Sequence, residues 1–168
     1  MKNRNIKHKD DWETPRYFYD KLNKVFNFDF DPCPFKHNLS LWDGLEIDWK
    51  ERNFCNPPYS KPLKDRFIHK AYNESKKGKV CVLLIPVSTS TKTFHNIIKY
   101  NASAICFVEG RISFKGVNSK GIYTETDKPM HDSMVVVFDP NNSVTSKQLD
   151  EIINCKKQPS LSTFLRSK

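Results

Sequence analysis

Val80-Cys81-Val82-Leu83-Leu84-Ile85, closed by Pro86, is the longest apolar run in the chain. Six consecutive apolar residues read as a strand buried on both faces, since a strand with one wet face alternates polar and apolar positions. The run is far too short to span a membrane as a helix. Upstream, Lys61 to Lys77 carries Leu63, Phe67, Ala71 and Tyr72 at helical spacing, and Gly78 closes that helix. Downstream, Phe94, Ile97 and Ile98 mark another helix. Two further buried strands follow, Ala104 to Val108 and Ser133 to Phe138, and then an amphipathic helix from Thr145 to Asn154. Near the start, Thr14 reads as a helix N-cap with Pro15 at the first helical position, ahead of Phe18, Leu22, Val25 and Phe26. Phe28-Asp29-Phe30-Asp31 reads as a short alternating strand ending at Pro32. Buried strands alternating with helices predict an α/β fold: a mostly parallel sheet with helices on both faces.

Two stretches break the rhythm. Residues 33 to 53 are irregular, with Trp42, Leu45, Ile47 and Trp49 expected to pack inward. Residues 110 to 132 hold three of the five glycines and read as a long loop or hairpin, a length that usually serves function in a compact domain. Residues 1–10 form a basic arm, 11–155 one domain, and 156–168 a basic tail. The 168 residues suit a single domain with its own core. Five cysteines, with no CxxC pair, argue against a disulfide framework and for a reducing cytoplasm. No N-terminal apolar stretch resembles a signal peptide. A formal charge of +9 points to an anionic partner, most often nucleic acid.

The chain has no GxGxxG, no phosphate loop and no HExxH. Cys33 and His37 lack a second ligand pair, so no metal is expected. Asn56-Pro57-Pro58-Tyr59 is the segment with chemistry in it. Neither proline has an N–H, so the loop presents carbonyl acceptors without competing donors. The Asn56 side-chain oxygen adds an acceptor, and both prolines fix their φ. Such a loop suits a planar –NH2 conjugated to a ring. Two acceptors holding both hydrogens draw that nitrogen towards tetrahedral geometry and free its lone pair, while Tyr59 offers a face for stacking.

An Asn-Pro-Pro-Tyr loop after a strand resembles the catalytic motif of S-adenosylmethionine-dependent amino-methyltransferases. The ordered set around it resembles the small phage-type DNA N6-adenine methyltransferases, the phage Dam family. That set comprises Trp12-x-Thr14-Pro15, Phe30-Asp31-Pro32-Cys33, Asn38, Asp43-Gly44-Leu45, Asp48-Trp49, the tetrapeptide, and Gly110-Arg111-Ile112-x-Phe114. It extends from Asp11 to Asp139. The resemblance implies a reduced Rossmann-like methyltransferase sheet and direct methyl transfer to the exocyclic N6 of adenine in DNA. It implies Asn56, Pro57, Pro58 and Tyr59 as catalytic residues. Asp31, with Pro32 and Cys33 shaping its turn, would meet the methionine ammonium of the cofactor. Trp12, Thr14 and Pro15 would close over its methionine part, and Asp43 or Asp48 would take its ribose hydroxyls or adenine edge.

The sequence departs from the larger methyltransferases in two ways. No glycine follows the first strand, and too few residues separate Asp31 from Asn56 for two complete βα units. A separate target-recognition domain is also missing. Sequence preference is therefore expected to be weak, or to come from the 110–132 stretch or from a second copy in a homodimer. Between Lys61 and Lys79 stand seven basic residues and two acids, and Lys61, Lys64 and Arg66 follow the tetrapeptide directly. These three, with Arg111 and Phe114, are the candidate DNA contacts. A base in duplex DNA would have to be flipped out of the stack at a cost of a few kcal/mol. Other conjugated amines, namely cytosine N4, RNA adenine and a glutamine amide, stay open as substrates. So does a catalytically silent DNA-binding protein. If the gene is phage-borne, the resemblance places the protein in the cytoplasm of a bacterial host.

Overall fold

The computed structural model describes residues 11–117, 122–125 and 131–155, so the basic arm and the basic tail lie outside the described residues. The chain runs β1 (Asp11–Glu13), α1 (Arg16–Phe26), β2 (Arg52–Cys55), α2 (Leu63–Ser75) and β3 (Val80–Pro86). One π-helical turn (Phe94–Ile98) then passes into α3 (Lys99–Asn101), followed by β4 (Ala104–Phe107), β5 (Lys115–Val117), β6 (Tyr123–Glu125), β7 (Ser133–Phe138) and α4 (Ser146–Asn154).

The apolar run around Leu83 is buried on both faces, as its composition requires. Val82 and Leu84 pack with Phe18, Leu22 and Phe26 of α1 and with Leu149, Ile152 and Ile153 of α4. Cys81, Leu83 and Ile85 face the other way, against Phe67, Ile68 and Ala71 of α2 and against Ile98. Helices thus cover both sides of one sheet. They are held there differently. α4 opens with a capping box between Thr145 and Gln148, a device worth about 1 kcal/mol. α1 has no side-chain cap and no acid in its first turn. It depends on burying Phe18, Leu22 and Phe26, each contributing about 1.5–3 kcal/mol.

The sheet order is β2-β3-β7-β4. This corrects the expectation of a mostly parallel sheet. β2 and β3 pair in parallel, but β7 runs antiparallel to both of its neighbours, β3 and β4. β2, β3 and β4 point the same way, and the reversed β7 between two of them leaves a single parallel ladder. The expected 28–31 strand shrinks to one parallel bridge, Phe30 to Asn53. A second, three-stranded sheet, β1-β5-β6, is antiparallel throughout. It draws its strands from the chain start and from the 110–132 stretch.

Two glycines allow close backbone approaches beside the cavity described next. A Cβ on Gly44 would stand 1.9 Å from the Pro32 carbonyl oxygen, so the 43–46 turn rests directly on the turn that follows Asp31. Trp49 Nε1 fastens that arrangement by donating to the Gly44 carbonyl at 2.7 Å. At Gly116 a Cβ would lie 2.1 Å from the Asp11 carbonyl oxygen, and its absence lets β5 lie against β1.

Candidate active site

Two chain segments leave the sheet at the same end. Phe54 donates its backbone N–H to the Phe30 carbonyl at 3.0 Å, and Phe30 donates to the Arg52 carbonyl at 3.3 Å. The parallel bridge between these segments carries Asp31 and Asn56 past the same edge in the same direction. β1 and the start of α1 close over that edge. The result is a cavity of about 720 Å³, walled by Trp12, Thr14, Pro15, Asp31, Cys33 and Asn56 among others. That volume lies within the range of small-molecule sites, about 300–1,000 Å³.

Asn56 is 7% exposed. Its Nδ2 donates to the Trp12 carbonyl at 3.0 Å and to Thr14 Oγ1 at 3.1 Å. Its Oδ1 is buried and has no hydrogen-bond partner among the described residues. A buried acceptor left without a donor costs about 1–3 kcal/mol. Here that cost falls on the wall of a ligand-sized cavity.

Asp31 lines the same cavity, and its Oδ1 accepts the Cys33 backbone N–H at 2.8 Å. Burial drives the carboxyl up to about 7, and the Cys33 hydrogen bond opposes the rise only in part. No lysine or arginine forms an ion pair with it among the described residues. A carboxylate in this state gains from any cation brought to it.

The remaining expected site residues divide. Pro32 is buried beneath Gly44, and Pro57 and Pro58 are buried at the base of the loop. The Tyr59 ring is half-buried, edge-on to Phe114 at 5.9 Å and to His131 at 6.3 Å. Asp43 accepts the Leu45 backbone N–H at 2.9 Å within a turn. Asp48 is exposed and paired with Lys77 at 2.6 Å. Neither carboxylate lines the cavity. The helix-cap reading of Thr14 is also corrected, because Pro15 is the N-cap and the Thr14 hydroxyl goes to Asn56. His37 is turned to Trp42, its Nε2 2.8 Å from that residue's carbonyl oxygen.

Of the candidate DNA contacts, Lys61 is exposed. Arg66 lies 3.5 Å from Glu46, and Arg111 lies 2.9 Å from Asp132. Lys64 and Phe114 are each 7% exposed, which corrects Lys64 as a residue on a surface that phosphates reach and Phe114 as a side chain that enters a groove. Lys64 donates to Ser88 Oγ at 3.1 Å, and Phe114 belongs to the core beneath the Tyr59 ring. Sequence reasoning missed several cavity residues, among them Tyr17, Tyr19, Phe35 and Lys115. Tyr17 and Tyr19 flank Phe18, so the α1 pattern that marks the core also marks the two positions beside it.

The fold and the cavity define a class of protein. It is an α/β protein with a pocket of small-molecule size beyond the carboxyl ends of parallel strands, lined by two acids, Glu13 and Asp31, and by one amide oxygen without a hydrogen-bond partner among the described residues. The family follows from the chain as a whole. The model of the family described as DNA N-6-adenine-methyltransferase (Dam) matches residues 2–159, and the protein belongs to that family. Its general activity is accordingly N6-adenine methylation with DNA as the substrate. No curated protein and no solved structure matches the chain. Among the described residues, no helix is long and apolar enough to cross a membrane.

Proposed function

We propose that the protein transfers a methyl group from S-adenosylmethionine directly to the N6 amine of a flipped or unpaired adenine in DNA, with Asn56 as the amine acceptor. The observation that carries this reading is the buried, unpartnered Oδ1 of Asn56 at the cavity. Both hydrogens of its amide are engaged on the opposite side, so what it offers a ligand is a lone pair. The cavity suits the cofactor on two counts: its volume, and Asp31, a carboxylate that forms no ion pair with a lysine or arginine among the described residues and is therefore suited to an ammonium. Trp12, Pro15 and Cys33 complete the wall around the methionine part. When bound, the cofactor supplies an electrophilic sulfonium methyl.

The protein's contribution is alignment. Asn56 Oδ1 and the Pro57 carbonyl accept the two amine hydrogens, and both hydrogen bonds strengthen as the amine becomes cationic, which is selective stabilisation of the transition state. Holding the reacting atoms in line contributes up to about 7–11 kcal/mol of barrier lowering. Phe114 and His131 brace the Tyr59 ring from two sides, so its orientation for a base is set before the base arrives. The excess of basic residues, with Lys61 and Arg111 exposed, supplies phosphate contacts that weaken as salt rises.

The test is Asn56→Ala. Methyl transfer to DNA from labelled S-adenosylmethionine is expected to fall by about 10²–10³-fold, the usual cost of removing a preorganised hydrogen-bond partner of the transition state. Cofactor binding by calorimetry is expected to persist. Transfer at the wild-type rate in this variant would overturn the reading.

A further inference from the structure

Asn56 Oδ1 serves as an acceptor only while the amide keeps one of its two orientations. A side-chain amide is nearly symmetric in shape, and a half-turn about its last bond replaces the oxygen with an N–H pair. In that flipped state the loop would present donors to an amine that is itself a donor. Something has to hold the amide the right way round, and the chain before α1 contains it.

We infer that Thr14 and the backbone carbonyl of Trp12 are a positioning pair that fixes the orientation of the Asn56 amide. This inference rests on the reading of Asn56 as the amine acceptor. The Trp12 carbonyl, 3.0 Å from Nδ2, can only accept, so it rejects the flipped amide, whose oxygen would then face an oxygen. The Thr14 hydroxyl, 3.1 Å from the same nitrogen, takes the second hydrogen. With both hydrogens engaged, the plane of the amide is fixed as well as its direction. Two further features fit this role. A Thr-Pro pair at a helix start ordinarily caps the helix, yet α1 has no side-chain cap and its threonine is turned to Asn56 instead. The Trp12 carbonyl is itself set by register, since Trp12 stands opposite Gly116 in the β1–β5 ladder. A Cβ at that glycine would stand 2.9 Å from the Trp12 Cα.

The experiment compares Thr14→Val, which keeps shape and removes the hydroxyl, with Thr14→Ser, which restores it. Asn56→Ala is run alongside. Each variant is assayed for kcat and for KM with an adenine-containing DNA, using labelled S-adenosylmethionine, and for cofactor affinity by calorimetry. Thr14→Val is expected to lose on the order of 10- to 100-fold in kcat, as small misplacements of reacting groups do, with KM for DNA held within about twofold and a smaller change in cofactor affinity than in kcat. Thr14→Ser is expected to recover most of that loss. Gly116→Ala, which displaces the Trp12 carbonyl without touching Thr14, is expected to lower kcat as well. Wild-type kcat in Thr14→Val would overturn the inference. So would a loss confined to cofactor affinity, or a serine variant as slow as the valine one. If Asn56→Ala is inactive while Thr14→Val is fully active, this inference alone fails. If Asn56→Ala is active, the acceptor reading fails, and the inference fails with it.

Discussion

Asp31 and Glu74 are both acids withdrawn from water, and their carboxyls move in opposite directions. Burial pushes Glu74 up, but hydrogen bonds from Lys79, Lys77 and Lys70 outweigh it and hold the carboxyl at about 2. Those ammonium groups stand 2.6, 2.9 and 3.0 Å away, and the Trp49 backbone N–H adds a contact at 3.3 Å. Asp31 has burial and little to offset it, and rises to about 7. The contrast separates two uses of a buried charge. Where the chain supplies the cations, the acid ties segments together. Where no ion pair offsets burial among the described residues, as at Asp31, the carboxyl stays raised, and on the proposed reading the cation of a ligand relieves it.

The largest expected effect tests the structural half of this contrast. Glu74→Ala leaves three lysines crowded around an empty place. Losing one partner of a buried pair costs about 3–5 kcal/mol, and the half-exposed Lys77 puts this case near the lower figure. Denaturant melts at neutral pH check it. The wild-type contribution is present above the ordinary glutamate value of 4.5 and is lost as pH falls towards about 2, so the gap between wild type and variant closes on acidification.

The ligand half is tested by Asp31→Asn. Cofactor affinity is expected to drop about 10- to 100-fold, the worth of a hydrogen bond to a charged group. The unliganded variant is expected to be more stable than wild type at pH 8. The sign follows from the raised carboxyl: the folded protein holds its proton from 3.8 to about 7, so wild-type stability declines across that window, and asparagine removes the decline. Thermal melts of both proteins at pH 5 and pH 8 decide it. Asp48→Asn is the smallest effect. Its carboxylate is held below the usual range by Lys77 but is fully exposed, so Tm is expected to stay unchanged and cofactor affinity to stay within about twofold.

Burial pattern made much of the fold legible. The runs at Val80–Ile85 and Ser133–Phe138 are of strand length, and the spacings in α1, α2 and α4 follow the helical period. Sheet order was hidden for a physical reason: a strand buried on both faces, such as β7, looks the same whichever way its neighbours run. β1 and β2 are too short for any period to show. In the site, Asn56 was readable from its own chemistry, and Asp31, Trp12 and Thr14 from the family resemblance; the four line one cavity. Thr14 was nevertheless given a capping role, because Thr before Pro is a local signal and its actual partner lies far along the chain. Lys64 and Phe114 misled in the same way, since a sequence does not show which side of a short helix or loop is covered.

The order of synthesis has a consequence here. β1 is made long before its pairing partner β5, Lys115–Val117. The Trp12 carbonyl cannot take its final place until that segment has left the ribosome, well after Asp31 and Asn56. In order of synthesis the acid and the amide therefore emerge before the segment that sets the Trp12 carbonyl, which makes locking of the amide a late step of pocket maturation.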